Sequence, residues 1–127
     1  MWTKTFAVEG ARHYRFFAMR YTSKMDSVRR GAVVRLIWLN DKGGKVRRDE
    51  PSFASYRPGT QPRAEPEFPR VRAKTRSGWT EVSDVFKAPK SAAHVRVELC
   101  LRWETYGRVE WKNVSLIPSA APKPRIA

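Results

Sequence analysis

The most constraining feature of this sequence is the alternation of apolar and polar residues along much of its length. Apolar side chains recur at every second residue in several segments, and no 11-residue stretch carries them at clean helical spacing. A period of two places successive side chains on opposite faces of a β-strand. The chain is therefore predicted to be all-β.

The alternation predicts seven strands joined by turns. The first two are predicted to form a hairpin through Glu9-Gly10-Ala11. The strand at 31–40 is apolar on both parities, which is typical of a central strand covered on both faces. The strand at 45–48 is short and basic, which favours an edge position. The predicted strands span 2–8, 12–22, 31–40, 45–48, 78–87, 94–103 and 107–117.

The parity of the alternation predicts which side chains face the core. In the strand at 94–103, the inward set is Val95, Val97, Leu99, Leu101 and Trp103, and the outward set is Arg96, Glu98, Cys100 and Arg102. The predicted core also includes Tyr14, Phe16, Ala18, Trp79 and Trp111. The parity of the last strand changes near Lys112-Asn113, which indicates a β-bulge.

The alternation dissolves between residues 49 and 77, where five of the nine prolines lie. Proline has no backbone N–H, so it largely excludes ladder pairing. This segment is predicted to be one long irregular loop. Together with the strands, it favours an antiparallel jelly-roll β-sandwich over 1–118. Residues 119–127 are rich in Pro and Ala, as in a linker towards a following domain.

Charge and hydropathy restrict the partners. The chain has 26 Lys and Arg against 12 Asp and Glu, a net charge of +14, which favours an anionic partner. Its longest apolar run, residues 36–39, is far below the roughly 20 residues of a membrane-spanning helix, so no membrane partner is expected. The N-terminus lacks the features of a signal peptide. The localisation stays open, and would be cytoplasmic if the chain starts natively at Met1.

No constellation of catalytic or metal-ligating residues stands out. Cys100 is the only cysteine, and it lies in the middle of a predicted strand rather than on a sharp turn. His94 begins the same strand, about 20 Å away at 3.3 Å per residue, so the two side chains are not expected to meet. The chain is therefore expected to have no catalytic site and no metal site of its own.

Several motifs resemble one known group of domains. They are Tyr14-Arg15-Phe16, then VRLIW at 34–38 followed by NDKG, then Gly78-Trp79, then APKSAA at 88–93 before VRVELCLRW, and finally GRVEWKNVSLIP. This layout resembles carbohydrate-binding-module-like (galactose-binding-like) jelly rolls. More narrowly, it is similar to the sandwich domain that precedes the carbon-nitrogen hydrolase (nitrilase-like) domain of some bacterial proteins.

The resemblance implies a non-catalytic accessory module that serves for docking or carbohydrate binding. Its partner would be a following catalytic domain of the same chain. The group often has an acidic residue just after the last-strand aromatic, where it can ligate a structural calcium. Here Lys112 and Asn113 follow Trp111. Because an ammonium repels Ca²⁺, a calcium ion is disfavoured and no cofactor is expected.

Successive antiparallel strands send their connections alternately to the two ends of a sandwich. The predicted loops 23–30, 49–77 and 104–106 therefore share one end. The candidate ligand-binding residues at that end are Tyr21, Arg29, Arg30, Tyr56, Arg57, Trp103 and Tyr106. Aromatic faces there would suit a sugar and arginines an anion, or else the aromatics merely close the core. A nucleic-acid or polyanion-binding β-sandwich is the alternative function.

Overall fold

A computed structural model of the chain arranges its strands in two antiparallel sheets. The structure describes residues 2–23, 32–47, 49, 64–75, 77–101 and 108–121. The strands are β1 (Trp2–Ala7), β2 (His13–Ser23), β3 (Ala32–Leu39), β4 (Arg70–Lys74), β5 (Thr80–Lys87), β6 (His94–Leu101) and β7 (Arg108–Pro118). No helix occurs in these described ranges. The all-β prediction is confirmed.

The first sheet has the strand order β1-β6-β3, and the second has the order β4-β5-β2-β7. The predicted hairpin of the first two strands is wrong, because β1 pairs with β6 whereas β2 pairs with β5 and β7. The turn at 9–11 instead forms backbone hydrogen bonds with the turn that follows β5. The Ala11 N–H donates to the Ala88 carbonyl at 2.9 Å. A Cβ on Gly10 would lie 1.9 Å from the Lys90 carbonyl oxygen, so only glycine fits this crossing between the sheets.

The core fills the space between the two sheets. It confirms the predicted inward positions of Tyr14, Phe16 and Ala18 on β2 and of Val95, Val97 and Leu99 on β6, all of which are buried. Trp111 is partly buried and packs against this cluster. Trp79 is only half-buried and is not part of it, so its assignment to the core is wrong.

Strand β3 is buried on both faces, as predicted, but it is not central. Strand β6 pairs with it on one side. On the other side, Leu36 and Glu67 exchange two backbone hydrogen bonds of 2.9 Å. The segment before β4 thus provides hydrogen-bond partners for the backbone of β3 at its outer edge. The central strand of the three-stranded sheet is β6. In the described part of the predicted strand at 45–48, Lys45 forms an isolated bridge with Leu39 and Arg47 forms another, whereas Arg48 lies outside the described residues.

The predicted irregular loop 49–77 is wrong for its last part, because β4 occupies Arg70–Lys74. This strand follows Pro69 and contains no proline. Among the described strands it pairs with β5 alone, through Arg70–Ser83, Val71–Val82 and Lys74–Thr80. Basic side chains are common on such edge strands because they oppose pairing with another chain. Residues 50–63 of the predicted loop lie outside the described residues.

The predicted bulge near Lys112-Asn113 is confirmed. The register between β2 and β7 shifts between the pairs Phe17–Ser115 and Met19–Lys112. Asn113 adopts a φ of 56°, in the left-handed region that asparagine tolerates better than most residues. The bulge places Lys112 opposite Met19, on the side of the sheet that faces away from the core.

Candidate functional site

The side of the four-stranded sheet that faces away from the core carries aromatic and cationic side chains. Because Tyr14, Phe16 and Ala18 point inward, the alternate β2 residues point outward. The register adds neighbours from β5 and β7. We call this side the outer face, defined by Arg15, Phe17, Met19, Tyr21, Trp79, Glu81, Ser83, Lys112, Ser115 and Ile117.

Tyr21 and Trp79 form the most accessible aromatic pair of this face. Their ring centroids lie 5.6 Å apart, with the ring planes tilted by 50°. Tyr21 is 36% exposed, and Trp79 is half-buried beside it. The Lys112 Nζ atom lies 4.1 Å from the centroid of the Trp79 ring, a cation–π contact. The ammonium therefore lies over one face of the Trp79 ring, and the exposed Tyr21 ring lies beside it.

The turn before β5 holds this pair in place. The Gly78 N–H donates to the Thr75 carbonyl at 3.1 Å, and the Thr75 N–H and hydroxyl both donate to the Trp79 carbonyl, at 2.7 and 2.8 Å. Gly78 has a φ of +88°, which disfavours any other residue. A Cβ there would also lie 3.1 Å from Cε2 of Tyr21. Glycine lets the turn approach the Tyr21 ring closely.

The cations on the β4 side of this face have partners within the fold. Arg70 forms an ion pair with Asp84 at 2.9 Å, and Arg72 lies 3.8 Å from the same carboxylate. Burial opposes ionisation of Asp84, but hydrogen bonds from Arg70 and the Val85 N–H outweigh it and hold the pKa of Asp84 below its ordinary value. Arg15 lies over the Phe17 ring at 5.4 Å. Much of the local positive charge is therefore balanced or stacked.

A separate cavity of about 430 Å³ lies where the 64–67 segment meets β3. Its wall includes the buried Trp38, whose Nε1–H donates to Glu67 Oε2 at 2.5 Å. Burial raises the pKa of Glu67, and the Trp38 hydrogen bond offsets only part of this effect. The described lining residues supply no Ser, Thr or Cys nucleophile beside this carboxylate. The hydrogen bond holds the segment against β3.

Of the predicted site residues, the structure describes only Tyr21, which lies on the outer face. The remaining candidates, Arg29, Arg30, Tyr56, Arg57, Trp103 and Tyr106, lie outside the described residues, so their grouping stays a prediction. Sequence reasoning missed the contribution of Trp79 and Lys112. The parity of β2 and the bulge at Lys112-Asn113 were the available signals, but Trp79 was assigned to the core.

Cys100 is buried in β6, where a thiol packs as a small apolar group. Across the ranges that the structure describes, no three His, Cys, Asp or Glu side chains gather to hold a metal ion. Within the same ranges, no helix has the length and apolar character to cross a bilayer.

The chain matches no family model, no curated protein and no solved structure.

Proposed function

We propose that this chain is a non-catalytic β-sandwich module that binds carbohydrate on its outer face. The observation that supports this most directly is the Tyr21–Trp79 pair, with centroids 5.6 Å apart. Large aromatic side chains bury 150–250 Å² each and usually lie in cores. Here two of them lie on the outer face, Tyr21 on β2 and Trp79 directly before β5, supported by a glycine turn.

The chemistry of this pair suits a neutral sugar. Aromatic rings offer an apolar surface for the C–H groups of a pyranose, and polar groups around them fix its orientation. The Lys112 ammonium lies over the Trp79 ring, and Glu81 lies opposite Met19 on the same face. Because Arg70 and Arg72 are paired with Asp84, the described β4 side of this face is less cationic than the whole chain.

The wider role belongs to the same proposal. The order β1-β6-β3 and β4-β5-β2-β7 is compatible with a jelly-roll sandwich, as the sequence resemblance implies. The module would serve a larger protein by docking or by carbohydrate binding, with a carbon-nitrogen hydrolase domain following the linker 119–127. Two domains with the same sandwich fold can bind different ligands, so ligand binding must be tested at the site itself.

Calorimetric titration with a panel of neutral oligosaccharides (β-glucan, xylan, mannan and galactan fragments) tests the proposal. We expect at least one to bind saturably, with affinity nearly unchanged by salt because no ion pair forms. Tyr21→Ala and Trp79→Ala should each weaken binding by about tenfold or more, the effect of losing one stacking partner. Phe68→Ala is the matched control, since Phe68 is an exposed aromatic outside the outer face. No binding by the wild type, or equal loss in the control, would contradict the proposal.

A second candidate function, polyanion binding, is favoured by the net charge of +14. Single-stranded DNA and a sulfated glycan are the probes. We expect weak binding that falls steeply with salt, because it would reflect diffuse attraction alone. Saturable binding that survives 150 mM salt would favour this function over carbohydrate. Loss on Arg15→Gln and Lys112→Gln would assign it to the outer face, and loss on replacing Arg29, Arg30 and Arg57 by Gln to the predicted loop end.

A further inference from the structure

A cavity of about 340 Å³ opens between the two sheets beside β4. Val33 and Val34 of β3 line one side, and Val82 of β5 lines the other. Its volume lies at the lower end of the range of about 300 to 1,000 Å³ for small-molecule sites. Arg70 and Arg72 on the β4 side of the outer face also line it, but the Tyr21–Trp79 pair does not.

Arg20 contributes a buried cation to this cavity, which the exposed Arg70 and Arg72 also line. It lies two positions after the inward-facing Ala18 and is 4% exposed. Burial lowers the pKa of Arg20, because the charged form loses hydration there. The guanidinium nevertheless remains protonated at neutral pH. A buried cation is favourable only with anionic or hydrogen-bonding partners, and its five N–H donors can serve a ligand in addition to a partner within the protein.

The mouth of the cavity is accessible and carries apolar side chains beside Arg70 and Arg72. Phe68 is 56% exposed and Val71 is 47% exposed, and both line it. They are two of the few large hydrophobic side chains that are exposed in the described part of the chain. Exposed apolar side chains together with three arginines are complementary to a molecule that joins a hydrocarbon body to an anionic group.

We propose that this cavity binds a small amphipathic carboxylate, such as a medium-chain fatty acid. The carboxylate would accept hydrogen bonds from the Arg20 guanidinium, whose planar fork matches its two oxygens. The hydrocarbon would lie against Val34, Val82 and Phe68. The site is independent of the proposed sugar-binding face, so either can be absent without affecting the other.

The test is calorimetric titration with dodecanoate, below its micellar concentration and at 150 mM salt. Dodecanol and dodecyltrimethylammonium serve as chain-matched ligands without the negative charge. We expect one saturable dodecanoate site, and binding of the other two weaker by about tenfold or more, because they lack the charge-assisted hydrogen bonds. Absence of dodecanoate binding, or equal binding of dodecanol, would overturn the proposal.

Variants locate the site. Phe68→Ser and Val71→Ser change exposed side chains, so they should fold normally and weaken dodecanoate binding. Ile117→Ser is the matched control, because Ile117 is similarly exposed (52%) but lies on β7, away from the cavity. Arg20→Gln should weaken the binding of dodecanoate and leave the binding of dodecanol unchanged. Equal weakening by Ile117→Ser, or several unsaturable sites, would assign the binding to the basic surface and contradict the proposal.

Discussion

The two sheets differ on the faces that point away from their shared core. In the three-stranded sheet, that face is buried at Ile37, Leu39 and Cys100. In the four-stranded sheet, the corresponding side chains, including Phe17 and Tyr21, remain partly exposed. Their sequences reflect this difference, because β3 is apolar on both parities whereas β2 interleaves basic residues with aromatic ones.

The two faces also use their charges differently. On the three-stranded sheet, the buried Glu98 carboxylate accepts hydrogen bonds from Arg35 at 2.7 Å and from Arg96 at 3.1 Å. On the four-stranded sheet, Lys112 and Arg15 lie over aromatic rings. On the three-stranded sheet, the charges form ion pairs with one another and stabilise the fold. On the four-stranded sheet, Lys112 and Arg15 retain N–H donors that a ligand can use.

The largest expected effect separates two tryptophans, Trp38 in β3 and Trp79 directly before β5. Trp38 is 2% exposed, so Trp38→Ala should cost about 3 to 5 kcal/mol of unfolding free energy. Trp79 is half-buried, so Trp79→Ala should cost only about 1 to 2 kcal/mol. Urea unfolding of both variants measures the difference. Equal shifts of the two unfolding midpoints would mean that Trp79 contributes to the core as much as Trp38 does, which would contradict the prediction.

The second prediction concerns the ion pairs of Glu98. Glu98→Gln should cost about 1 to 3 kcal/mol, because it removes the negative charge that two arginines share. Arg35 and Arg96 are partly exposed and can regain hydration, which keeps the loss below that of a fully buried pair. Glu9→Gln, at an exposed pair with Arg12, is the control and should change almost nothing. Similar effects of the two variants would show that the Glu98 cluster is not structural.

The third prediction isolates the turn that supports Tyr21. Gly78→Ala and Gly43→Ala both place a side chain at a positive φ, +88° and +81°, at a cost of about 1 kcal/mol each. Only the Gly78 variant also meets a neighbour, the Tyr21 ring. It should therefore be the less stable of the two, and it alone should weaken ligand binding at the outer face. Identical stabilities would mean that the ring moves aside freely.

The smallest effects are pH-dependent and opposite in sign. The lowered pKa of Asp84 means that its ionised form stabilises the fold above the ordinary carboxyl value, and this contribution is lost as the pH falls through its folded value. The raised pKa of Glu67 means that its protonated form is favoured in the fold, so stability is lost as the pH rises above its ordinary value.

Unfolding free energies measured between about pH 3 and pH 7 test both signs. Asp84→Asn should flatten the loss of stability at acid pH, and Glu67→Gln should remove a loss that develops as the pH rises. Wild-type slopes in either variant would contradict the corresponding assignment.

The alternation of apolar and polar residues was sufficient to predict which side chains of a strand face the core. It predicted the inward rows of β2 and β6 and the bulge at Lys112-Asn113. It did not predict strand partners, because a period of two is the same whether β1 pairs with β2 or with β6. The proline-rich composition before β4 also obscured this short strand, three of whose residues pair with β5.

The candidate site was harder to predict for a related reason. Sequence reasoning grouped aromatic and basic residues at the loop end of the sandwich, and only Tyr21 of that group lies in the described part of the chain. The neighbours of Tyr21 come from β5 and β7, through long-range register that no local pattern contains. Glu98 likewise lies on the side of β6 opposite the core, as its parity predicts. Its burial depends on contacts that alternation does not report.

The pairing of β1 with β6 also has a consequence for how the protein is made. Trp2 lies opposite Leu99, and β4–β5 is the one pairing between consecutive strands in the described ranges. Such distant pairings close large loops before they gain contact energy, which slows folding. On the ribosome, β1 would wait without its partner until β6 had emerged. Its exposed row of alternating side chains would then have to resist aggregation for most of the time that synthesis takes.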